Sequence, residues 1–235
     1  MTTKEFSNSF DTLLNSYSQR ASFGEGNLKQ DIVLDEYEKS HFLTEAQEQL
    51  VLSYYNGHNS TLDSFEKTEE IRRYLSSLIK TSEITPSEYE GPLISEHSQV
   101  FALPNDLWFI TYESAKLGSS SDSCINGKEV QVIPVTQDEY YRTNENPFKG
   151  PGFRRALRLD ISGNKVEIVS KYTISKYLVR YIEKISPIIL EPLTDGLSIN
   201  GETTEQTCSL HESLHRPILE LAVKLALQSK GIQLQ

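Results

Sequence analysis

Near its carboxyl end the chain reads HESLH, from His211 to His215, which matches the H-E-x-x-H pattern. On a helix this spacing places two imidazoles on one face, where both can bind a zinc ion, and Glu212 can act as a general base. A hydrolytic site also needs a third protein ligand and an open position for water. The pattern therefore raises the alternative of a zinc-dependent hydrolase that uses His211, His215 and Glu212.

The residues around this pattern argue against a zinc site. The single carboxylate downstream, Glu220, lies about 140° around a helix from His215 and so points away from a metal. Pro217 fits only the first turn of a helix. A helix that begins near Ser213 accommodates Pro217 but leaves His211 and Glu212 outside, whereas a helix that begins at Ser209 contains the whole pattern but is strained just beyond it. We therefore interpret the pattern as a coincidence, and we expect a protein that is not an enzyme, with no catalytic residue, metal or cofactor.

A second candidate site lies in the stretch DEYYRTNENPFKGPGFRRALR, residues 138–158. Arginines beside a glycine-rich loop can contact phosphate, so a nucleic-acid-binding module stays open as a further alternative. We favour contact with another subunit or a partner protein, because exposed arginines also form ion pairs between chains. The candidate contact residues are Tyr140, Tyr141, Pro147, Phe148, Lys149, Arg154, Arg155 and Arg158.

The elements that must position these residues divide the chain into three segments. Residues 1–82 form a helical amino-terminal segment, with a possible joint at Gly24 and Gly26. Residues 83–208 form a β-rich core, and 209–235 a long helix that completes it. The pattern predicts an α+β fold: a helical amino-terminal arm, a strand-rich antiparallel middle, and a carboxyl-terminal helix packed on the sheet.

Several elements carry specific predictions. The spacing Thr44 to Gln47 predicts a helix start before AQEQLVLSYYNG, with a stop at Gly57, and helical spacing is expected to continue as far as Ile79. A short helix in DEYYRTNENPFKGPGF is expected to stop at Asn146-Pro147. RRALRLDISGNKVEIVS is typical of a hairpin. A separate strand is expected at EVQVIPVT, and Pro134 marks it as an edge strand or as the end of a strand. The last helix is expected from about Ser209 to Lys230.

Charge is unevenly spread along the 235 residues, whose net charge is −10. The first hundred residues carry eight basic and seventeen acidic side chains, whereas Arg142 to Lys184 carry ten basic and four acidic ones. An acidic protein repels phosphate, which argues against tight, general nucleic-acid binding. The basic middle is suited to an acidic surface on a partner or a sister copy. No apolar run is long enough for a membrane span, and no secretion signal is evident.

Five blocks, in order, resemble a family of structural proteins from crAss-like and related tailed phages that infect Bacteroides. The first block is LDEYEKSHFLTEAQEQLVLSYYNG with FEKTEEIRRYLSSLI after it, and the second is ALPNDLWFITYES. The others are VIPVTQDEYYRTNENPFKGP, YLVRYIEKISPIIL and CSLHESLHRPILELAVKLAL. The blocks span most of the chain, so their joint order is far more specific than HESLH alone.

The resemblance implies a ring of the head-to-tail connector, at the portal vertex of the virion, between the portal and the tail. It implies a closed ring, expected to have twelve copies to match the portal, with the portal and other connector or tail ring proteins as partners. Genomic DNA would pass through without sequence-specific binding, and no membrane is involved. The subunits would occupy the host cytoplasm during assembly. The family is not known for catalysis.

Overall fold

The computed structural model describes residues 1–21, 33–57, 69–118 and 125–231, and the predicted joint at Gly24 and Gly26 lies outside these ranges. The expected α+β class is confirmed. The helices are α1 (Thr3–Ala21), α2 (Glu36–Asn56), α3 (Glu69–Tyr74), α4 (Tyr140–Asn144) and α5 (His215–Ser229). The strands are β1 (Ile79–Ile84), β2 (Ser98–Ala102), β3 (Leu107–Leu117), β4 (Glu129–Pro134), β5 (Arg155–Ile161), β6 (Lys165–Val169) and β7 (Ile174–Glu183). No helix in these four ranges has the length and apolar character needed to cross a membrane.

The chain forms two compact units. The first combines Met1–Leu78 with Ile185–Gln235, and the second is Ile79–Lys184. The first unit therefore joins helices from both ends of the chain: α5 packs against α1 and α2. The second unit holds the seven-stranded sheet and α4.

Helix α2 begins earlier than its sequence suggests. The Asp35 side chain accepts a hydrogen bond from the amide of Glu38 at 2.7 Å, and the Glu38 side chain accepts one from the amide of Asp35, which completes a capping box. The expected start at Thr44 is wrong, because Thr44 lies inside the helix. The expected stop is confirmed: Gly57 follows α2 in the left-handed conformation, with φ 76°.

A polar stripe on α2 anchors the extended stretch after β7. Ser40, Thr44 and Gln47 are buried on one face of the helix. Ser40 Oγ accepts from the amide of Leu190, and Thr44 Oγ1 accepts from that of Ile188, both at 3.0 Å. Gln47 donates to a carbonyl of the same stretch at 2.9 Å. These side chains satisfy buried backbone groups that no strand pairs with.

The sheet has the strand order β1-β7-β3-β4-β5-β6-β2. Its neighbouring strands pair antiparallel, as expected, except β4 and β5, which are parallel. Parallel neighbours cannot be joined by a tight turn and need a crossover of a dozen or more residues. Here the twenty residues 135–154 provide it. The prediction of an antiparallel sheet is therefore wrong for the pair β4 and β5.

Three further strand predictions can be compared with the sheet. The predicted hairpin is confirmed as β5 and β6, with Ile161 opposite Lys165. Pro134 is the last residue of β4, so its predicted role as a strand end is confirmed. Its other predicted role, in an edge strand, does not apply, because β4 is an inner strand of the sheet. The helical prediction through Ile79 is wrong, because β1 begins there and pairs with β7.

Candidate functional site

Residues 135–154, here called the crossover loop, contain most of the predicted contact residues. Helix α4 lies within this loop and ends before Asn146 and Pro147, as predicted. Tyr140 opens the helix with a buried side chain that packs with Leu157 and Leu159 of β5. Burial raises the pKa of the Tyr140 hydroxyl. Tyr140 therefore fixes the loop to the sheet and does not face solvent.

The tip of the crossover loop is held by its own hydrogen bonds. Asn146 Oδ1 accepts from the amides of Phe148 at 2.9 Å and Lys149 at 3.2 Å, a side-chain turn typical of asparagine. The amide of Gly150 donates to the Asn146 carbonyl at 2.8 Å. Arg155 Nη1 donates to the Phe148 carbonyl at 2.6 Å. Arg155 thus supports the tip, together with Asn146.

This supported tip presents aromatic side chains to solvent. Tyr141 is 73% exposed, Phe148 89% and Phe153 57%; these three residues are called the aromatic face. Across the described ranges four aromatic side chains are exposed, and three of them are these. Pro147, Lys149 and Arg154 are exposed beside them. Three large aromatic side chains exposed within one loop make it a candidate interaction surface.

Arg158 lies away from this surface in a buried ion pair. Its Nη1 is 2.6 Å from Glu113 Oε1, and its Nε is 3.2 Å from Asp160 Oδ1. The Tyr177 hydroxyl donates to the second oxygen of Glu113 at 2.7 Å. Arg158 is therefore engaged within its own chain, so the exposed candidates of the loop reduce to Tyr141, Pro147, Phe148, Lys149 and Arg154.

Burial shifts the pKa values of the ionisable groups in this network. Burial raises the pKa of Glu113, and Arg158 with the Tyr177 hydroxyl offsets part of that rise. Burial and the Glu113 carboxylate raise the pKa of Tyr177, so its hydroxyl stays protonated as the donor. The network stabilises β3, β5 and β7, to which these residues belong.

The HESLH residues do not share a helical face. His211 precedes a 3-10 turn, Glu212–Leu214, and α5 begins only at His215. Pro217 is the third residue of α5, where its missing amide has no intrahelical partner to lose. The expected helix start at Ser209 is wrong for this reason. The arrangement that zinc binding requires is absent from this stretch.

The two imidazoles also have different neighbours. The ring of exposed His211 lies 5.9 Å from that of Tyr74. Buried His215 lies 5.3 Å from the ring of Phe6, its Nε2 donates to the Leu210 carbonyl at 3.2 Å, and its Nδ1 accepts from the Met1 amino group at 3.1 Å. Burial and that amino group lower the pKa of His215. Both of its nitrogens are therefore occupied by protein.

Within the part of the chain that the structure describes, no group of three or more His, Cys, Asp or Glu side chains could hold a metal ion. The thiol of Cys208 contacts Gln47 Oε1 at 3.1 Å, and burial raises its pKa to about 11. Such a thiol is protonated and a poor nucleophile near neutral pH. Because the described ranges offer neither a metal-binding group nor a reactive thiol, the crossover loop is the candidate site that they support best.

Sequence reasoning missed Phe153 as a contact residue and missed the Glu113 and Tyr177 partners of Arg158. Phe153 follows Gly150-Pro151-Gly152, which marks a loop, and that was the signal available in the sequence for an exposed position. Its ring lies 5.5 Å from that of Tyr172, which supports one side of it. Nothing local identifies Glu113 or Tyr177, because strand pairing brings them to Arg158.

A whole-chain comparison defines the class of this protein. The family model for phage tail ring protein 3/4 matches residues 1–235. The chain belongs to that family and is a bacteriophage tail ring structural protein.

Two curated relatives agree with this assignment. Ring protein 3 of Bacteroides phage crAss001 is 52% identical over 232 residues, which cover 98% of this chain and 96% of that protein. Ring protein 4/5 of the same phage is 32% identical over 239 residues, which cover 96% of this chain and 92% of that protein. The resemblance to crAss-like phage proteins is thereby confirmed, and the chain is a virion component.

Proposed function

We propose that this chain is a non-enzymatic subunit of a closed ring in the head-to-tail connector, between the portal and more distal tail proteins. The observation that carries the proposal is the match of the ring family to the full 235 residues. Its relatives are ring proteins by name, and they align over nearly their whole length. Nearly all of this sequence therefore aligns with the sequence of a ring protein.

The ring contains about twelve copies, so that its symmetry matches that of the portal. Copies in a ring meet through heterologous contacts, in which one surface of a subunit meets a different surface of the next. The aromatic face and the uneven charge of the chain suit such contacts. The partners are the portal on one side and other connector or tail ring proteins on the other.

The ring surrounds the passage of the genomic DNA without reading its sequence. The net charge of −10 favours this role, because an acidic protein repels the DNA phosphates. Without contacts between basic side chains and phosphates, no counterions leave the DNA, and the usual driving force for tight binding is missing. The subunits assemble in the host cytoplasm and end at the portal vertex of the virion. The geometry of His211 and His215 offers no support for the alternative of a zinc hydrolase.

The test combines particle mass with position in the virion. Native mass spectrometry and negative-stain images of the purified chain, alone and with the portal protein of the same phage, should reveal closed rings of about twelve copies. An antibody against the chain should label intact virions at one vertex, where the tail joins the head. Virions that contain the chain but carry the label along the distal tail would contradict the connector position.

A further inference from the structure

The stretch after β7 forms an acidic hairpin, defined here as residues 189–206. Ile189 and Gln206 exchange two backbone hydrogen bonds of 3.0 Å, and the amide of Leu193 donates to the Thr203 carbonyl at 2.8 Å. The tip beyond Leu193 is closed by a further pair of backbone bonds. These bonds define the stretch as a hairpin.

The acidic hairpin carries charge of one sign. Glu191, Asp195 and Glu202 are exposed on it. No lysine or arginine occurs from residue 185 to residue 215, so nothing in that stretch neutralises these carboxylates. Leu197, at the tip, is 44% exposed and offers an apolar contact among them. The hairpin thus exposes one large apolar side chain together with these three acids.

The crossover loop has the opposite composition. The same loop exposes Lys149 and Arg154 as well as the aromatic face, and Glu145 is the one acid from Tyr140 to Arg158. The bonds of Asn146 and Arg155 hold the backbone of Phe148, whose side chain is exposed, before any partner binds. A preformed anchor loses little conformational freedom on binding, which favours affinity.

We infer that the crossover loop of one copy docks on the acidic hairpin of the next copy, with Phe148 against Leu197 and with Lys149 and Arg154 among Glu191, Asp195 and Glu202. This inference rests on the proposed ring, and it names the contact that closes the ring. Charge complementarity and the pairing of exposed apolar groups identify a second copy as the occupant. Each copy carries both surfaces once, as a heterologous ring requires.

The direct test is zero-length cross-linking of assembled chains. Equal amounts of ¹⁵N-labelled and unlabelled chain are mixed and treated with a carbodiimide, which joins a lysine amine to a carboxylate without a spacer. Peptide pairs of mixed isotope should link Lys149 to Glu191, Asp195 or Glu202. Mixed isotopes distinguish links between copies from links within one copy.

Variants of the two surfaces give a second, independent readout. One variant carries Phe148→Asp in the loop, and a second carries both Asp195→Lys and Glu202→Lys in the hairpin. Each of these two proteins should self-associate at least about tenfold more weakly than wild type. A mixture of the two variant proteins should form dimers and stop there, because only one intact loop can meet one intact hairpin. The matched control is Leu93→Asp, a substitution at an exposed apolar residue outside both surfaces, which should assemble as wild type does.

The outcomes separate this contact from the ring itself. Rings that form with Phe148→Asp, and whose cross-links omit the loop and the hairpin, would overturn the docking and leave the ring intact. A wild-type chain that stays monomeric at about 100 μM, a concentration at which even weak interfaces form, would overturn self-assembly and the docking together. Salt-sensitive binding of duplex DNA that Phe148→Asp and Arg154→Glu both abolish would assign the loop to nucleic acid instead.

Discussion

Arg158 Nη1 lies 2.6 Å from Glu113 Oε1, and both side chains are almost fully buried. A buried ion pair adds little net stability over an apolar pair, but removing one partner leaves the other charge unpaired in a dry environment. This asymmetry distinguishes Arg158 from the exposed arginine of the same loop region, Arg154.

We expect Arg158→Ala to lower the free energy of unfolding by about 3–5 kcal/mol, because the Glu113 carboxylate loses its main partner. Arg154→Ala should change it by less than about 0.5 kcal/mol, since Arg154 is exposed. Urea unfolding of the two variants beside wild type measures both values. Equal midpoints for Arg158→Ala and wild type would mean that the pair is not buried as described.

Gly150 sits where the backbone leaves no room for a side chain. A Cβ there would lie 2.7 Å from the Asn144 carbonyl oxygen and 2.9 Å from that of Asn146, whereas a Cβ at Gly152 would meet nothing within 4 Å. Gly150→Ala should therefore shift the tip, lower the free energy of unfolding by about 1–3 kcal/mol and weaken self-association. Gly152→Ala is the control and should match wild type in urea unfolding and particle mass. A Gly150→Ala protein that assembles normally would show that the shape of the tip is unimportant.

The stability of the chain should depend on pH through His215. Burial and the Met1 amino group lower the pKa of His215 in the folded state, so on acidification the unfolded chain takes up this proton first. The stabilisation is complete above the unfolded value of about 6.5 and is lost as the pH falls through the lower folded pKa.

Urea midpoints at pH 7.5 and pH 5.5 test this dependence. Wild type should lose more stability between these two values than His215→Gln does, and the difference between the two proteins isolates His215 from Glu113, His211 and Glu212. A His215→Gln protein with an unchanged slope would contradict the prediction.

Zinc provides a separate prediction for the HESLH stretch. Because His211 lies outside α5 and both nitrogens of His215 have protein partners, the purified chain should retain no stoichiometric zinc after dialysis. Elemental analysis of protein incubated with zinc measures this. About one zinc per chain, lost in both His211→Gln and His215→Gln, would restore the hydrolase alternative.

Local patterns in the sequence predicted local structure well. The hairpin around Ser162-Gly163-Asn164, the stop of α2 at Gly57 and the end of α4 before Pro147 all follow from residues adjacent in the chain. Turn chemistry and capping act over a few residues, so these signals survive without knowledge of the fold. The exposed tip of the crossover loop belongs to the same class, because its glycines and prolines are its own signal.

Predictions failed where residues far apart in the chain decide the structure. Thr44 has the spacing of a cap, but Ile188 engages its hydroxyl and Asp35 provides the cap. Helical spacing reaches Ile79, but pairing with Ile182 makes a strand there. Arg158 was expected at a surface and is paired with Glu113, forty-five residues away. Tertiary partners outweigh local propensity at each of these positions.

The assembly of the first unit from both ends of the chain has a consequence for its synthesis on the ribosome. Phe6 of α1 is buried beside His215 of α5, so its neighbour is translated 209 residues later. The sheet-bearing unit, by contrast, is continuous from Ile79 to Lys184 and emerges as a whole while α1 and α2 still await α5. Helices that must keep apolar side chains covered during this delay are natural clients for a host chaperone.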